Sequence, residues 1–148
     1  MYAMPKVLIL YDSQTGNTEK MAEAVAEGAR SVANVEVDVK YYARPEELAE
    51  ASAIIFGSPT YYHDMTLPIK QMLDEAARAN TQLKDKIGAA FGSYGWSGEA
   101  PQLILEILKN RFGMKIIEPG LTVLYTPSQA KLEECRKLGK TVAEKIVG

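Results

Sequence analysis

One cysteine, one histidine and one tryptophan occur in the 148 residues of this chain. With Cys135 alone, no internal disulfide can form, which fits a reducing compartment such as the cytoplasm. Leu132, Leu138 and Val142 flank it at helical spacing, so it reads as a buried core thiol rather than a reactive one. A lone histidine, His63, excludes a metal centre built from several imidazoles, and no metal site is expected. Neither sign of charge dominates: a net charge of −2 makes no case for nucleic acid or a membrane surface. No apolar run approaches the roughly 18–20 residues that cross a bilayer. The stretch Met1–Lys6 lacks the basic region and apolar core of a secretory signal. A chain of this length is expected to form one domain, residues 1–148, around one substantial core.

Strand-like and helix-like patterns alternate along the chain. Strands are expected at Lys6–Tyr11, Val35–Tyr41, Ser52–Gly57, Lys86–Phe91 and, interrupted by Pro119-Gly120, over Met114–Tyr125. Helices are expected at Asn17–Val32, Pro45–Ala51, Leu67–Ala79, Gln102–Arg111 and Gln129–Ile146. Val35–Tyr41 alternates apolar with charged residues, which marks a half-buried edge strand, whereas Ile54-Ile55-Phe56 reads as buried on both faces. Such βα units in series imply an α/β fold, a doubly wound open parallel sheet with helices on both faces. Ligands of these sheets sit beyond the carboxyl ends of the strands, where strand order reverses.

The first such end carries Tyr11-Asp12-Ser13-Gln14-Thr15-Gly16-Asn17-Thr18-Glu19. A strand, a hydroxyl-rich turn with one glycine, and a helix start together make an anion site, because the first N–H groups of a helix are unpaired and carry partial positive charge. No Lys or Arg lies between Val7 and Glu19, so a phosphate there is held by neutral dipoles. An ordinary capped turn is the plainer alternative. No glycine precedes Gly16, which excludes both a P-loop and a G-x-G-x-x-G dinucleotide fingerprint after the first strand.

Two further loops stand out. Gly57-Ser58-Pro59-Thr60-Tyr61-Tyr62-His63-Asp64-Met65 follows the third strand, and Phe91-Gly92-Ser93-Tyr94-Gly95-Trp96-Ser97-Gly98-Glu99 follows the fourth. Aromatic residues on glycine-rich loops are well placed to sandwich a flat ring. They also suit a partner interface, where Tyr and Trp are enriched. All three loops are expected to converge on one rim.

The pattern S-x-T-G-x-T-E over Ser13–Glu19 resembles the phosphate loop of flavodoxins, and from Lys6 onward the chain looks like a flavodoxin domain of the short-chain type. Gly57–Tyr61, Phe91–Gly98 and Glu118-Pro119-Gly120-Leu121 are similar to the flavodoxin domain of flavodiiron proteins. The resemblance implies the strand order 2-1-3-4-5 and an FMN cofactor. It places the phosphate on Ser13, Gln14, Thr15, Gly16, Asn17 and Thr18. It places the ring among Ser58, Pro59, Thr60, Tyr61, Tyr62, His63, Ser93, Tyr94, Gly95, Trp96, Ser97 and Gly98. It implies an electron carrier without catalytic residues of its own, serving redox protein partners such as a separate diiron protein or another oxidoreductase. An FMN-dependent NAD(P)H:quinone reductase of the same fold is the alternative. A phosphorylated receiver needs an Asp at the end of the third strand, where this chain has Gly57-Ser58-Pro59. Two departures from the family matter. One histidine cannot build a diiron centre within these residues. And Thr60–Met65 has no glycine, so turning a peptide there to positive φ costs about 1 kcal/mol or more, least at His63 or Asp64. That loop is therefore expected to resist the flip that stabilises a half-reduced flavin.

Overall fold

The structure, a computed structural model, describes residues 4–147, and the part of the signal-sequence reading that falls on Met1–Ala3 lies outside the described residues. The chain runs β1 (Lys6–Tyr11), α1 (Asn17–Arg30), β2 (Glu36–Lys40), α2 (Pro45–Glu50), β3 (Ala53–Gly57), α3 (Leu67–Arg78), β4 (Ile87–Tyr94), α4 (Ala100–Asn110), β5 (Lys115–Ile116), β6 (Leu121–Leu124) and α5 (Gln129–Val147). The sheet is parallel, in the order β2-β1-β3-β4-β5, with β6 also paired to β4. Strand order reverses between β1 and β3, and β2 forms the half-buried edge that its alternation implied.

Alternate residues of each strand feed two cores. Leu8, Leu10, Ile54 and Phe56 pack against Leu48 of α2, Ile69 and Met72 of α3, and Ile104 and Leu108 of α4. Val7, Ile9, Ile55 and Phe91 pack against Met21 and Val25 of α1 and Cys135 and Val142 of α5. Cys135 is wholly buried, as its spacing suggested, and burial pushes its thiol up to about 12.

The strand readings miss in two places. β4 continues to Tyr94 instead of stopping at Phe91, because Phe91, Gly92, Ser93 and Tyr94 pair with Leu121, Thr122, Val123 and Leu124 of β6. Ser93 and Tyr94 are thereby strand residues, not loop residues. The extended stretch Met114–Tyr125 is two short strands on the same edge of β4, separated where Pro119 offers no N–H to the ladder. The helix reading from Gln102 is likewise short, since α4 opens at Ala100, whose N–H donates to Thr60 Oγ1 at 3.0 Å.

α1 and α5 approach so closely that a Cβ on Gly28 would lie 1.9 Å from the Arg136 carbonyl oxygen, and one on Gly139 would lie 1.9 Å from that of Val25. Two backbones touch there because neither residue has a side chain. Among the described residues no helix is long and apolar enough to cross a membrane.

Gly139→Ala gains up to about 1 kcal/mol in helix propensity. The overlap with the Val25 carbonyl outweighs it, so the expected net loss of unfolding free energy is about 1–3 kcal/mol. Urea unfolding of the variant measures it, and an unchanged midpoint would show that the helices part at no cost.

Candidate functional site

The turn between β1 and α1 is shaped from within. Gly16 caps α1 at φ 90°, a left-handed conformation that glycine adopts without strain. Ser13 Oγ accepts the N–H groups of Gly16 at 3.1 Å and Glu19 at 3.2 Å, closing the loop on itself. The N–H groups of Thr15, Asn17 and Thr18 find no acceptor among the described residues. Nothing stands within 4 Å of where a Gly16 Cβ would project, so this side of the turn is open. Glu19, an acidic residue in the first turn, has its carboxylate held by the hydroxyls of Tyr11 at 3.1 Å and Tyr41 at 3.4 Å. Burial first, then hydrogen bonding with Tyr41 and with Glu19, raise the Tyr11 phenol far above its ordinary range and keep it protonated.

Thr18 is buried and ties α1 to β4, with its Oγ1 2.9 Å from Ser93 Oγ. Ser93 N–H also points at Thr18 Oγ1 from 3.4 Å. With Ser93 donating both bonds, the Thr18 hydroxyl keeps its own proton for a third partner.

Beside this turn lies a cavity of about 190 Å³ lined by Thr15, Asn17, Pro59, Thr60, Tyr61, Ser93, Tyr94, Gly95 and Tyr125. The three loops therefore do converge on one rim. Tyr125 escaped the sequence reading. It follows β6, donates its N–H to the Tyr94 carbonyl at 2.7 Å, and brings a ring opposite Gly95. Its only signal in the sequence was an aromatic at the carboxyl end of an extended stretch.

Several expected site residues stand apart from this cavity. Ser58 is fully buried, donating to the Pro59 carbonyl at 2.8 Å and accepting Thr66 N–H at 3.0 Å, so its hydroxyl pins the loop. Gln14 and Tyr62 border a second cavity of about 480 Å³, together with Asp12, Tyr61, Met65 and Lys70. Asp12 Oδ2 is buried there without a partner among the described residues. Trp96 is 82% exposed, its ring 4.9 Å from that of His63, and Gly98 lies against the Tyr94 ring. Trp96, Ser97, Gly98 and His63 thus lie outside the lining of the 190 Å³ cavity.

The loop after β3 holds the largest departure from expectation. Tyr61 and Asp64 exchange both backbone hydrogen bonds at 3.0 Å, making a two-residue hairpin turn through Tyr62 and His63. The type I′ form of such a turn has positive φ at both central positions, and here φ is 51° at Tyr62 and 64° at His63. The absence of glycine did not keep this loop out of the left-handed region, because the paired backbone bonds and the His63 contacts offset the cost. Asp64 reinforces the corner with a 2.8 Å bond from Met65 N–H to Oδ1 and an ion pair with Lys70.

A family model described as Flavodoxin matches residues 9–139. The type A flavoprotein fprA of Rhodobacter capsulatus is 38% identical over 96% of this chain and 33% of its own length. A flavodoxin of Aquifex aeolicus is 37% identical over 95% of this chain and 86% of its own. The solved structure of a flavodoxin from the domain Archaea superposes with a TM-score of 0.88 at 44% identity, covering 97% of this chain and 99% of that one. The chain thus spans about a third of the Rhodobacter relative and most of the other two.

The hairpin carries a measurable strain. Tyr62 is 96% exposed, so its ring contributes no packing to offset a left-handed backbone. Tyr62→Asn, which suits positive φ, is expected to raise unfolding free energy by about 0.5–1 kcal/mol in a denaturant titration. A loss of stability would mean that the ring holds the turn.

Proposed function

The chain belongs to the flavodoxin family, and we propose that residues 13–18 hold the phosphate of FMN while Tyr61, Tyr94 and Tyr125 flank its ring. As a flavodoxin-like protein it binds FMN and transfers electrons. The donor set of the turn supports the phosphate reading. The free N–H groups of Thr15, Asn17 and Thr18 meet nearby hydroxyls at a helix start, and the one acidic side chain of that first turn is engaged elsewhere. This cradle is the observation that carries the proposal.

Bound FMN supplies the redox chemistry, taking up and giving back one or two electrons. The protein's part is to bind, orient and shield. Tyr61 approaches from the loop after β3 and Tyr94 from the end of β4, which fixes the tilt of a flat ring between them. Added negative charge would meet aromatic walls, with the carboxylates of Asp12, Asp64 and Glu99 on the surrounding loops and Lys70 paired to Asp64. Those surroundings disfavour the reduced anion and set the potential below that of the free cofactor.

Residues 1–148 are proposed to act as one such unit in the cytoplasm, a setting that suits the lone buried thiol. Its partners are redox proteins. A separate diiron protein or another oxidoreductase fits, since a carrier must pass its electrons to a centre elsewhere. Docking falls on the open face between the Tyr61–Asp64 hairpin and the Tyr94–Glu99 loop, through a small and transient patch.

FMN is expected to bind far more tightly than riboflavin. Thr15→Ala is expected to weaken FMN at least tenfold, a loss of about 1.5 kcal/mol or more from one bond to a charged group, and to leave riboflavin unaffected. Fluorescence-quenching titrations measure both, and equal affinities for the two flavins would remove the phosphate assignment. In a separate assay the holo protein with NAD(P)H and a quinone is expected to turn over no faster than free FMN. Rapid turnover without a second protein would place a reductase ahead of a carrier.

A further inference from the structure

The amino ends of the strands, opposite the β1–α1 turn, carry a second cavity free of carboxylates. It lies where α3 runs into β4 and α4 runs into β5, and measures about 270 Å³. Ala77, Leu83 and Phe112 give it an apolar floor, and the exposed side chains of Lys84 and Arg111 give it positive charge. The cavities of about 260, 420 and 480 Å³ each have an aspartate or glutamate in their lining. This one has none, a property it shares with the 190 Å³ cavity beside the β1–α1 turn. Asp85, the acid next to Lys84, is exposed and outside the lining.

Basic residues near helix C-termini ordinarily serve the last carbonyls of the helix. Here the backbone has taken those carbonyls already. The N–H groups of Ala79, Asn80 and Thr81 donate to Glu75, Ala77 and Ala76 at the end of α3. Those of Arg111, Gly113 and Met114 donate to Ile107, Lys109 and Leu108 at the end of α4. Asn80 at φ 52° and Gly113 at φ 68° supply the left-handed residues that such closures use. The side chains of Lys84 and Arg111 make no hydrogen bond or ion pair among the described residues. Asp74 and Glu106 share the adjoining cavities with Arg111 and do not pair with it there. The stem of Lys84 has a fixed place, its Cγ 3.5 Å from where a Cβ on Gly113 would stand, two residues beyond Arg111. Thr81 also lines the cavity, and its Oγ1 is buried without a partner among the described residues. An orphaned hydroxyl is a donor short of an acceptor.

We propose that this cavity binds a small organic phosphate, its oxyanion on Arg111 and Lys84 and its apolar body on Leu83 and Phe112. A guanidinium presents paired N–H donors that match two phosphate oxygens, and a second cation favours a dianion over a carboxylate. A turn about χ1 brings the Thr81 hydroxyl onto the same oxyanion as a neutral donor. The floor supplies the apolar contact that a bare ion cannot use. The cavity lies at the other end of the sheet from the one assigned to FMN, so the two fill independently and the proposal does not rest on the FMN reading.

The test is a titration of the oxidised holo protein with phenyl phosphate and, separately, with inorganic phosphate, at constant ionic strength, with amide NMR shifts read residue by residue. Saturable shifts are expected at residues 80–84 and 111–113 at millimolar concentrations, with phenyl phosphate binding about threefold or more tightly than inorganic phosphate. Arg111→Gln is expected to weaken phenyl phosphate about fivefold or more, and Lys84→Gln about two- to threefold. Glutamine keeps most of either stem, and both side chains are exposed, so the fold persists. Lys109→Gln removes an exposed cation outside the lining and is expected to leave the affinity unchanged. Shifts that never saturate, or a loss in Lys109→Gln equal to that in Arg111→Gln, would reduce the effect to general screening and overturn the site. Equal affinities for the two phosphates would leave an adventitious ion only and overturn the organic ligand. The same shifts are expected in the apoprotein, so a failure of FMN to bind strikes the functional reading and leaves this one standing.

Discussion

The place where α1 begins governs the rest of the functional end. Its first N–H groups are useful to a ligand only if the helix cannot slide or tilt. The sheet alone does not prevent that, because apolar side chains on a strand surface tolerate small shifts. The restraint comes from behind, where α1 and α5 meet backbone to backbone at Gly28 and Gly139. In front, Thr18 is joined to Ser93 of β4 by a buried hydroxyl pair. The turn between β1 and α1 is thus held between a steric contact and a polar one, and β4 passes the same reference point on to Tyr94 and Gly95.

A cradle without Lys or Arg has its own logic. Backbone dipoles are fixed by the fold and lose no side-chain entropy when an anion arrives, whereas a lysine would have to be ordered. They also bring no formal charge next to a ring that must change its own charge. Glu19 shows how closely this is arranged. It stands in the first turn of α1, near where an anion would sit, and the two tyrosine hydroxyls occupy its carboxylate.

Most of this was legible in the chain. The 2 and 3.6 periodicities gave every strand and helix to within a few residues, and Ser13–Thr18, Thr60–Tyr61 and Tyr94-Gly95 marked the convergence of three loops. What escaped depended on partners remote in sequence. β4 is longer than its apolar run because β6 offers a ladder some thirty residues on, and Tyr125 enters the cavity through that same pairing. Ser58 and Thr18 read as ligand donors alone, but each also makes an internal tie that the sequence did not show, Ser58 accepting Thr66 N–H and Thr18 pairing with Ser93. The hairpin was invisible for another reason. Its turn type is normally read from Asn-Gly or Asp-Gly, and Tyr62-His63 carries no such mark. A local propensity argument fails wherever tertiary contacts, here those of His63 with Glu99 and Trp96, supply the missing stability.

The buried thiol of Cys135 has a practical side. Wholly enclosed between α1 and α5, and with its thiol pushed up to about 12, it presents almost no thiolate to solvent at neutral pH. Maleimide and iodoacetamide reagents will pass it by in the folded protein. A cysteine placed anywhere on the surface then becomes the single reactive position without a cysteine-free background. Spin labels and fluorophores can be attached beside the hairpin or the Trp96 loop, and distances between docked proteins measured, with the native packing of α5 left untouched.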